Sequence, residues 1–290
     1  MKVEEFDEYL LVTGLEDFDI RQTLDCGQVF RYKVTDFGYT VYSSDQKADI
    51  YCQNDALKIF TDNKKYFIKY FDFCTNYARI KSSLIANPIM KDAVEFGSGI
   101  RILRNDPIEI IISFIISQNN NIPRIKGIIE KICERYGENK GDYFTFPSLE
   151  KLKTIPLKFF TDIKCGYRDK YLYESIAMLG DLVDIDKIKA MPTPEAREEL
   201  MKLKGVGRKV ADCILLFGFS KTDVFPTDTW IVKCYNEIYG TKETNAIKIA
   251  KHFENIFGEL SGFAQQYLFF RIRENAIGEK KWNRKKLLYY

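Results

Sequence analysis

The chain of 290 residues contains one histidine, His252. A single imidazole cannot serve a Ser-His-Asp set and any second histidine role, and it excludes every histidine-rich metal site. Seven cysteines, at 26, 52, 74, 133, 165, 213 and 234, include no pair at C-x-x-C spacing. That spacing argues against zinc ribbons and cysteine-ligated iron–sulfur clusters, so neither a metal nor a cofactor is expected. An odd number of scattered thiols reads as a reducing, intracellular compartment. Long apolar runs are also missing. The longest, Ile108 to Ile116, is too short to span a bilayer and is broken by Glu109 and Ser113. The acidic start, MKVEEFDEYL, does not resemble a signal peptide. No membrane association is expected.

What remains has an ordinary globular balance, 46% hydrophobic and 29% charged, which excludes a disordered, collagenous or disulfide-stapled chain. The length suits two or three compact units, each able to bury its own core. The net charge of +3 is uneven: residues 1–105 hold 14 basic and 16 acidic residues, the remainder 30 and 25. The C-terminal part carries the positive excess, which is compatible with nucleic acid without proving it.

Residues 29–34 alternate in character, and short apolar runs follow at 39–42, 50–52 and 57–60, separated by turn residues such as Asp36-Phe37-Gly38 and Asn54-Asp55. Short connections imply antiparallel pairing. Residues 64–97 read as helical. After Gly97-Ser98-Gly99 the period is near 3.6 and no strand is expected from about 107 onward. Pro107 and Pro123 open helices, the second with a core stripe of Ile125, Ile128, Ile129 and Ile132. Further helices fit 168–181, 194–203, 208–219, 228–239, 244–257 and 261–277. The fold class is therefore α+β: an antiparallel sheet domain with helices over 1–105, then a helical domain over 106–290.

The stretch from Glu198 to Trp230 is the most informative. Gly205-Val206-Gly207 separates two helices, and two glycines around one apolar residue permit a very tight turn. Backbone N–H groups at a helix start can hold a phosphate, and Lys202, Lys204, Arg208 and Lys209 lie around them. A plain helix–turn–helix corner is the bland alternative. Lys209 falls in the first turn of the second helix, where a cation gains nothing as a stabiliser. Partial burial there is expected to lower its pKa and leave a free amine, the form that attacks carbon. A solvated phosphate clamp is its other reading. Cys213 lies one turn on, on the same side, and fits either a site facing a cleft or a small buried hydrophobe. Asp228 precedes an apolar helical run and reads as an N-cap, which also aims a carboxylate rigidly.

Leu203-Lys204-Gly205-Val206-Gly207-Arg208-Lys209-Val210-Ala211-Asp212-Cys213, followed by Val224-Phe225-Pro226-Thr227-Asp228, resembles the signature of the helix-hairpin-helix (HhH-GPD) DNA glycosylase superfamily. Four further segments narrow the resemblance to 8-oxoguanine DNA glycosylases: Cys26 to Arg31; Ile100 to Pro107 running on to Ser117 through Arg124; Gly166-Tyr167-Arg168; and Phe263 to Phe269. The similarity spans roughly residues 18–275, and the order and spacing of the segments carry it.

This resemblance implies an enzyme of base excision repair, a monomer acting on duplex DNA that contains 8-oxoguanine. It implies Lys209 as the nucleophile at the anomeric carbon, a Schiff base, and β-elimination that nicks the strand. Asp228 would support the oxocarbenium-like charge. The target nucleotide must first leave the stack. Gly27 would offer its carbonyl to the ring nitrogen that carries hydrogen only in the oxidised base, so one contact both attracts and rejects. Cys213 and Phe269 would sandwich the base and Gln265 would read its Watson–Crick edge. Asn119, Arg124 and Arg168 would hold the estranged cytosine, Tyr167 would wedge into the stack, and Gly205, Val206 and Gly207 would meet the DNA phosphates. Taken singly, each also has a bland reading: a turn glycine, a helix end, a solvated arginine, a core aromatic.

Two positions depart from the family pattern. Trp230 stands where relatives have a histidine and Ile272 where they have an aspartate; the two partner groups are lost together, so the resemblance carries no role for that pair to this chain. The basic cluster Lys280, Lys281, Arg284, Lys285 and Lys286 reads as a solvated tail or a phosphate contact. Alternatives remain. An endonuclease III-like glycosylase for oxidised pyrimidines shares the lysine and aspartate but usually carries an iron–sulfur cluster, and this chain has no cysteine beyond Cys234. An alkyladenine-type relative lacks the lysine. A non-catalytic damage-binding module has no need of both Lys209 and Asp228, and a purely structural helical protein has no need of the basic hairpin.

Overall fold

A computed structural model describes the backbone of residues 1–53 and 55–286 and side chains as far as Asn275. Six strands form one antiparallel sheet: β1 Lys2–Glu5, β2 Tyr9–Thr13, β3 Tyr32–Thr35, β4 Gly38–Ser43, β5 Gln46–Gln53 and β6 Ala56–Phe60. Their spatial order is β1-β2-β6-β5-β4-β3. Strict alternation puts Leu10, Val12, Ala48, Ile50, Leu57 and Ile59 on one buried face, with Val12 opposite Leu57 and Ile50 opposite Ile59. Phe18, Leu24, Phe67, Tyr70, Phe71 and Leu103 complete that core.

The sheet is larger than the sequence pattern implies. β1 and β2 are short and flank an acidic stretch, Glu4, Glu5, Asp7 and Glu8, so only Leu10 and Val12 signal a buried strand face. The strand expected from residue 29 begins at Tyr32, because Val29, Phe30 and Arg31 are all buried in a connection and cannot alternate. The remainder is helical, and among the described residues past 107 the only β pairing is two isolated bridges. Four short helices, Ile20–Asp25, Leu149–Lys153, Leu157–Asp162 and Ile185–Ala190, escape the periodicity because one or two turns are too few to display it.

The central helix, Pro107–Ser117, is buried all round from Glu109 to Ile116, as its unbroken apolar run requires. Asp106 caps it by accepting from the Glu109 N–H at 3.0 Å, and Pro107 sits where no N–H is needed. Asn121 caps Ile122–Tyr136 in the same way, at 3.0 Å from the Arg124 N–H. Each such cap is worth about 1 kcal/mol. The isoleucine stripe of this helix lies in the core as its spacing predicts.

The two cores do not divide at one point in the chain. Tyr77, Leu84, Met90, Val94 and Ile100 pack into the helical core, whereas Leu103 packs under the sheet. The C-terminal helix, Ser261–Lys286, runs back across this junction. Its Phe263 meets Tyr77 edge-on at 5.6 Å, and Arg271 pairs with Asp92 at 2.5 Å. A buried ionic seam joins the two halves elsewhere. The Arg31 guanidinium donates to the Phe144 carbonyl at 2.6 Å and lies 3.9 Å from Glu109, whose carboxylate accepts from the Ser44 N–H at 2.7 Å. Burial pushes the Glu109 carboxyl up to about 7 even with Arg31 beside it.

Candidate active site

The hairpin forms as the two glycines predict. Gly205 has φ +73°, and a Cβ there would fall 2.3 Å from the Tyr171 ring, so both conformation and packing require glycine. Val206 is buried and its N–H bonds the Leu203 carbonyl at 3.1 Å, leaving it engaged within the turn. Gly207 is the exposed N-cap of the Arg208–Phe219 helix, has no side-chain cap, and faces open space. An anion can approach this helix start. The basic surround is thinner than the sequence implies. Arg208 is tied to Glu254 at 3.0 Å and lies 3.5 Å from Asp212, which leaves the exposed Lys202 and Lys204 as the hairpin's outward cations. Their own partners, Glu199 and Glu174, hold them at the surface, where ion pairs are worth at most about 1 kcal/mol.

Lys209 turns inward from the first helical turn. It is half-buried, its ammonium lies 5.7 Å from the centre of the Phe114 ring, and it hydrogen-bonds Cys213 one turn on. Phe114 in turn stacks on Phe217 at 5.6 Å and meets Phe30 edge-on at 5.9 Å, giving the lysine an apolar floor. The sequence alone suggests a depressed lysine pKa; the structure reverses that direction. The Lys209 pKa is raised: the charge of a Cys213 thiolate is the largest cause, and Asp228, whose charge is the one present near neutral pH, adds to it against desolvation. Burial pushes the Cys213 thiol itself up to about 11, so near neutral pH the pair is an ammonium beside a thiol. Asp228 is the N-cap of Thr229–Tyr239: its Oδ1 accepts from the Trp230 and Ile231 N–H groups, both at 3.0 Å. One oxygen holds the carboxylate at the helix start, and its charge acts on the Lys209 ammonium.

Gly27 belongs to a second group of residues. It has φ +87°, and a Cβ would sit 3.5 Å from the edge of Phe269 and 3.3 Å from Nη1 of Arg273. The loop that carries it is pinned from below by Gln28, whose fully buried amide donates to the Thr23 and Arg101 carbonyls at 2.8 and 2.7 Å and accepts from the Leu103 N–H at 2.8 Å. Gln266 donates to the Cys26 carbonyl at 3.0 Å, and Arg273 donates to the Asp25 carbonyl. Gln265 is 5% exposed and its Oε1 has no hydrogen-bond partner. A buried amide oxygen without a donor costs about 1–3 kcal/mol, and a ligand that supplies a donor removes that cost. Cys213 is buried, 4% exposed.

The third group gathers on one edge. Asn119 is exposed in a left-handed conformation, φ +45°, which asparagine tolerates better than most residues. Arg168 is 3% exposed and its donors serve carbonyls: Nε to Gln118 at 2.7 Å, Nη2 to Asn119 at 2.7 Å and Nη1 to Cys165 at 3.0 Å. It braces the Asn119 loop from behind. Arg124 is exposed and donates to the Lys164 carbonyl at 2.7 Å, and Tyr167 is 51% exposed with its ring 4.4 Å from the Arg168 guanidinium. Trp230 is half-buried against the helical core and Ile272 is buried in it, so no polar pair stands at those two positions. The basic cluster from Lys280 to Lys286 lies outside the residues whose side chains are described.

The sequence pattern does not reveal Arg273, Gln266 or Phe114 as site residues. Arg271 and Arg273 are two apart on one helix, and nothing local distinguishes the one that pairs at the surface from the one that turns inward. Among the described residues no group of three or more His, Cys, Asp or Glu is arranged to hold a metal, and no helix is long and apolar enough to cross a membrane.

Known proteins resemble this chain along most of its length. Residues 10–111 match the family described as 8-oxoguanine DNA glycosylase, N-terminal domain, and residues 112–259 match the HhH-GPD superfamily of base excision DNA repair proteins. A solved Clostridium acetobutylicum 8-oxoguanine glycosylase/lyase, in complex with double-stranded DNA containing cytosine opposite 8-oxoG, is 39% identical. That likeness covers 95% of this chain and 99% of that one, with a TM-score of 0.89. A probable N-glycosylase/DNA lyase of Methanothermobacter thermautotrophicus is 36% identical over 62% of this chain and 65% of its own length. An N-glycosylase/DNA lyase of Arabidopsis thaliana is 29% identical over 85% of this chain and 75% of its own. This chain belongs to the 8-oxoguanine DNA glycosylase family of the HhH-GPD superfamily.

Proposed function

We propose that this chain is a bifunctional DNA glycosylase and AP lyase that flips 8-oxoguanine out of duplex DNA, excises it, and nicks the strand by β-elimination. The observation that carries the proposal is Lys209, held in the first turn after the hairpin between Cys213 and the capped carboxylate of Asp228. After losing its proton, the Lys209 amine attacks C1′ and the glycosidic electron pair leaves with the base. Asp228 stabilises the positive charge that develops on the sugar. The resulting Schiff base acidifies C2′, and loss of that proton expels the 3′ phosphate. The unpartnered Oε1 of Gln265 offers an acceptor to the base, and Gly27 and Phe269 supply a carbonyl and a stacking face beside it. Asn119, Arg124 and Tyr167 would meet the estranged base, with Arg168 holding their loop. The enzyme acts as a monomer on DNA, and its free thiols suit a reducing compartment.

Borohydride trapping tests the proposal. An adduct is expected on a duplex containing 8-oxoguanine opposite cytosine and not on an oxidised-pyrimidine duplex, and duplexes with the other three opposite bases measure how strictly cytosine is required. Trapping on the pyrimidine lesion alone would move the chain to the endonuclease III-like alternative, and no adduct on any duplex would leave a binding module.

Two further results are expected. Gly27→Ala forces a side chain into a left-handed position against Arg273 and Phe269. It should lower the preference for 8-oxoguanine over guanine by about tenfold or more in single-turnover excision. An unchanged ratio would remove the carbonyl from the recognition scheme. The second result concerns pH. Lys209 rests as an ammonium with a raised pKa, and only the free amine attacks. The rate with enzyme below saturation should therefore climb from pH 6 to 9, approaching about tenfold per unit. A flat profile would mean that the proton is not held on the lysine.

A further inference from the structure

We infer that Arg273 is a positioning residue for damage discrimination: it sets the distance between the Gly27 carbonyl loop and the Phe269 ring. The inference rests on the functional reading above. Three contacts converge on one guanidinium. Nη2 donates to the Asp25 carbonyl, two residues before Gly27. The same group lies 5.3 Å from the centre of the Phe269 ring, on the helix that carries the stacking face. Nη1 covers the bare face of Gly27, 3.3 Å from where a Cβ would stand. Its side chain is 11% exposed, so it makes these contacts away from bulk water.

The neighbours favour a clamp over a solvated charge. Glu274 is its ion-pair partner at 3.0 Å, which holds the guanidinium in place from the outer side. Asp25 is fixed independently, since its Oδ1 accepts from the Tyr32 hydroxyl at 2.6 Å. If Arg273 is lost, Asp25 stays tied to the sheet through Tyr32 and Cys26 stays tied to Gln266, but the guanidinium that bridges the loop to the Phe269 ring and covers Gly27 is gone, so the gap between Gly27 and that ring loses its spacer. A carbonyl distinguishes a ring N–H from a ring acceptor only while its distance to the base is fixed, because attraction and repulsion both fade as the gap widens. A Cβ at position 27 would be strained at φ +87° and would crowd the guanidinium, which ties the specificity glycine to a residue 246 positions later in the chain.

The test separates base reading from the chemistry that follows it. Excision needs the base seated against Gly27 and Phe269, whereas nicking of a preformed abasic duplex needs Lys209 and the hairpin but no base. Arg273→Met keeps the apolar stem and removes the donors and the charge. Single-turnover excision of 8-oxoguanine opposite cytosine is expected to fall about 30-fold, from loss of one charge-assisted hydrogen bond and one cation–π contact. Nicking of the abasic duplex is expected to stay within about threefold of wild type. Arg273→Lys, which keeps a cation and a donor and is the milder change to the fold, should fall between the two in excision. Equal losses in excision and nicking, in either variant, would show a general packing role and overturn the inference; so would unchanged excision in Arg273→Met. Wild-type enzyme run alongside keeps the two ideas distinct, because failure to excise 8-oxoguanine there would strike the functional reading itself.

Discussion

Replacing Lys209 by glutamine is expected to eliminate borohydride trapping and to lower both excision and nicking by about 10⁴-fold or more, while duplex binding stays within about threefold of wild type. Glutamine keeps much of the length and polarity of the side chain and cannot form a Schiff base. The fold should tolerate it. Phe114 and Cys213 retain their packing, and Asp228 keeps the two backbone bonds that fix it without the lysine. The DNA-facing parts of the hairpin are also untouched, since the exposed N-cap at Gly207 and the outward cations Lys202 and Lys204 lie apart from the inward lysine. Gel shifts on uncleaved duplex and trapping on the same preparation measure the two properties together. Retained cleavage would sink the nucleophile assignment. Loss of binding in parallel with activity would instead make Lys209 a phosphate clamp, the other role its position allows.

How far the site is legible before folding depends on how local its physics is. The hairpin is readable because glycine spacing, a helix start and an inward lysine all fall within a dozen residues. Asp228 is readable as a cap because a carboxylate before an apolar helical run has few other uses. The direction of the Lys209 pKa is not readable. It depends on Asp228, which arrives from the next helix, and on the Cys213 sulfur at hydrogen-bond reach, against a burial term that sequence cannot weigh. Arg168 shows the same limit: a guanidinium next to a wedge tyrosine suggests a direct hand on the opposite base, yet its donors are on the Gln118, Asn119 and Cys165 carbonyls. In the fold, β1 and β2 are hidden for a different reason. β1 carries two glutamates in four residues and is a strand through its pairing with β2, while β2, set between β1 and β6, is too short to display its period.

Asp228 carries two roles that two substitutions can pull apart. Its Oδ1 caps Thr229–Tyr239, and its charge acts on Lys209. Asparagine presents a carbonyl oxygen to the same N–H groups and is as good a cap, so Asp228→Asn should leave the melting temperature nearly unchanged. It removes the negative charge that the developing sugar cation needs, and single-turnover excision should fall by about 10²–10³-fold. Asp228→Ala removes both functions. It should show the same fall in excision and also lose about 1 kcal/mol of stability, a drop in melting temperature of roughly 2–4 °C for a domain of this size. Thermal melts and excision kinetics on the two variants supply the comparison. If the asparagine variant excises as well as wild type while the alanine variant does not, Asp228 acts only by holding the helix start in place, and the charge that meets the sugar cation must come from elsewhere. If both lose activity and only alanine loses stability, the cap and the catalytic charge are separate properties of one carboxylate, and the cap's contribution to the reaction is to hold that charge in place.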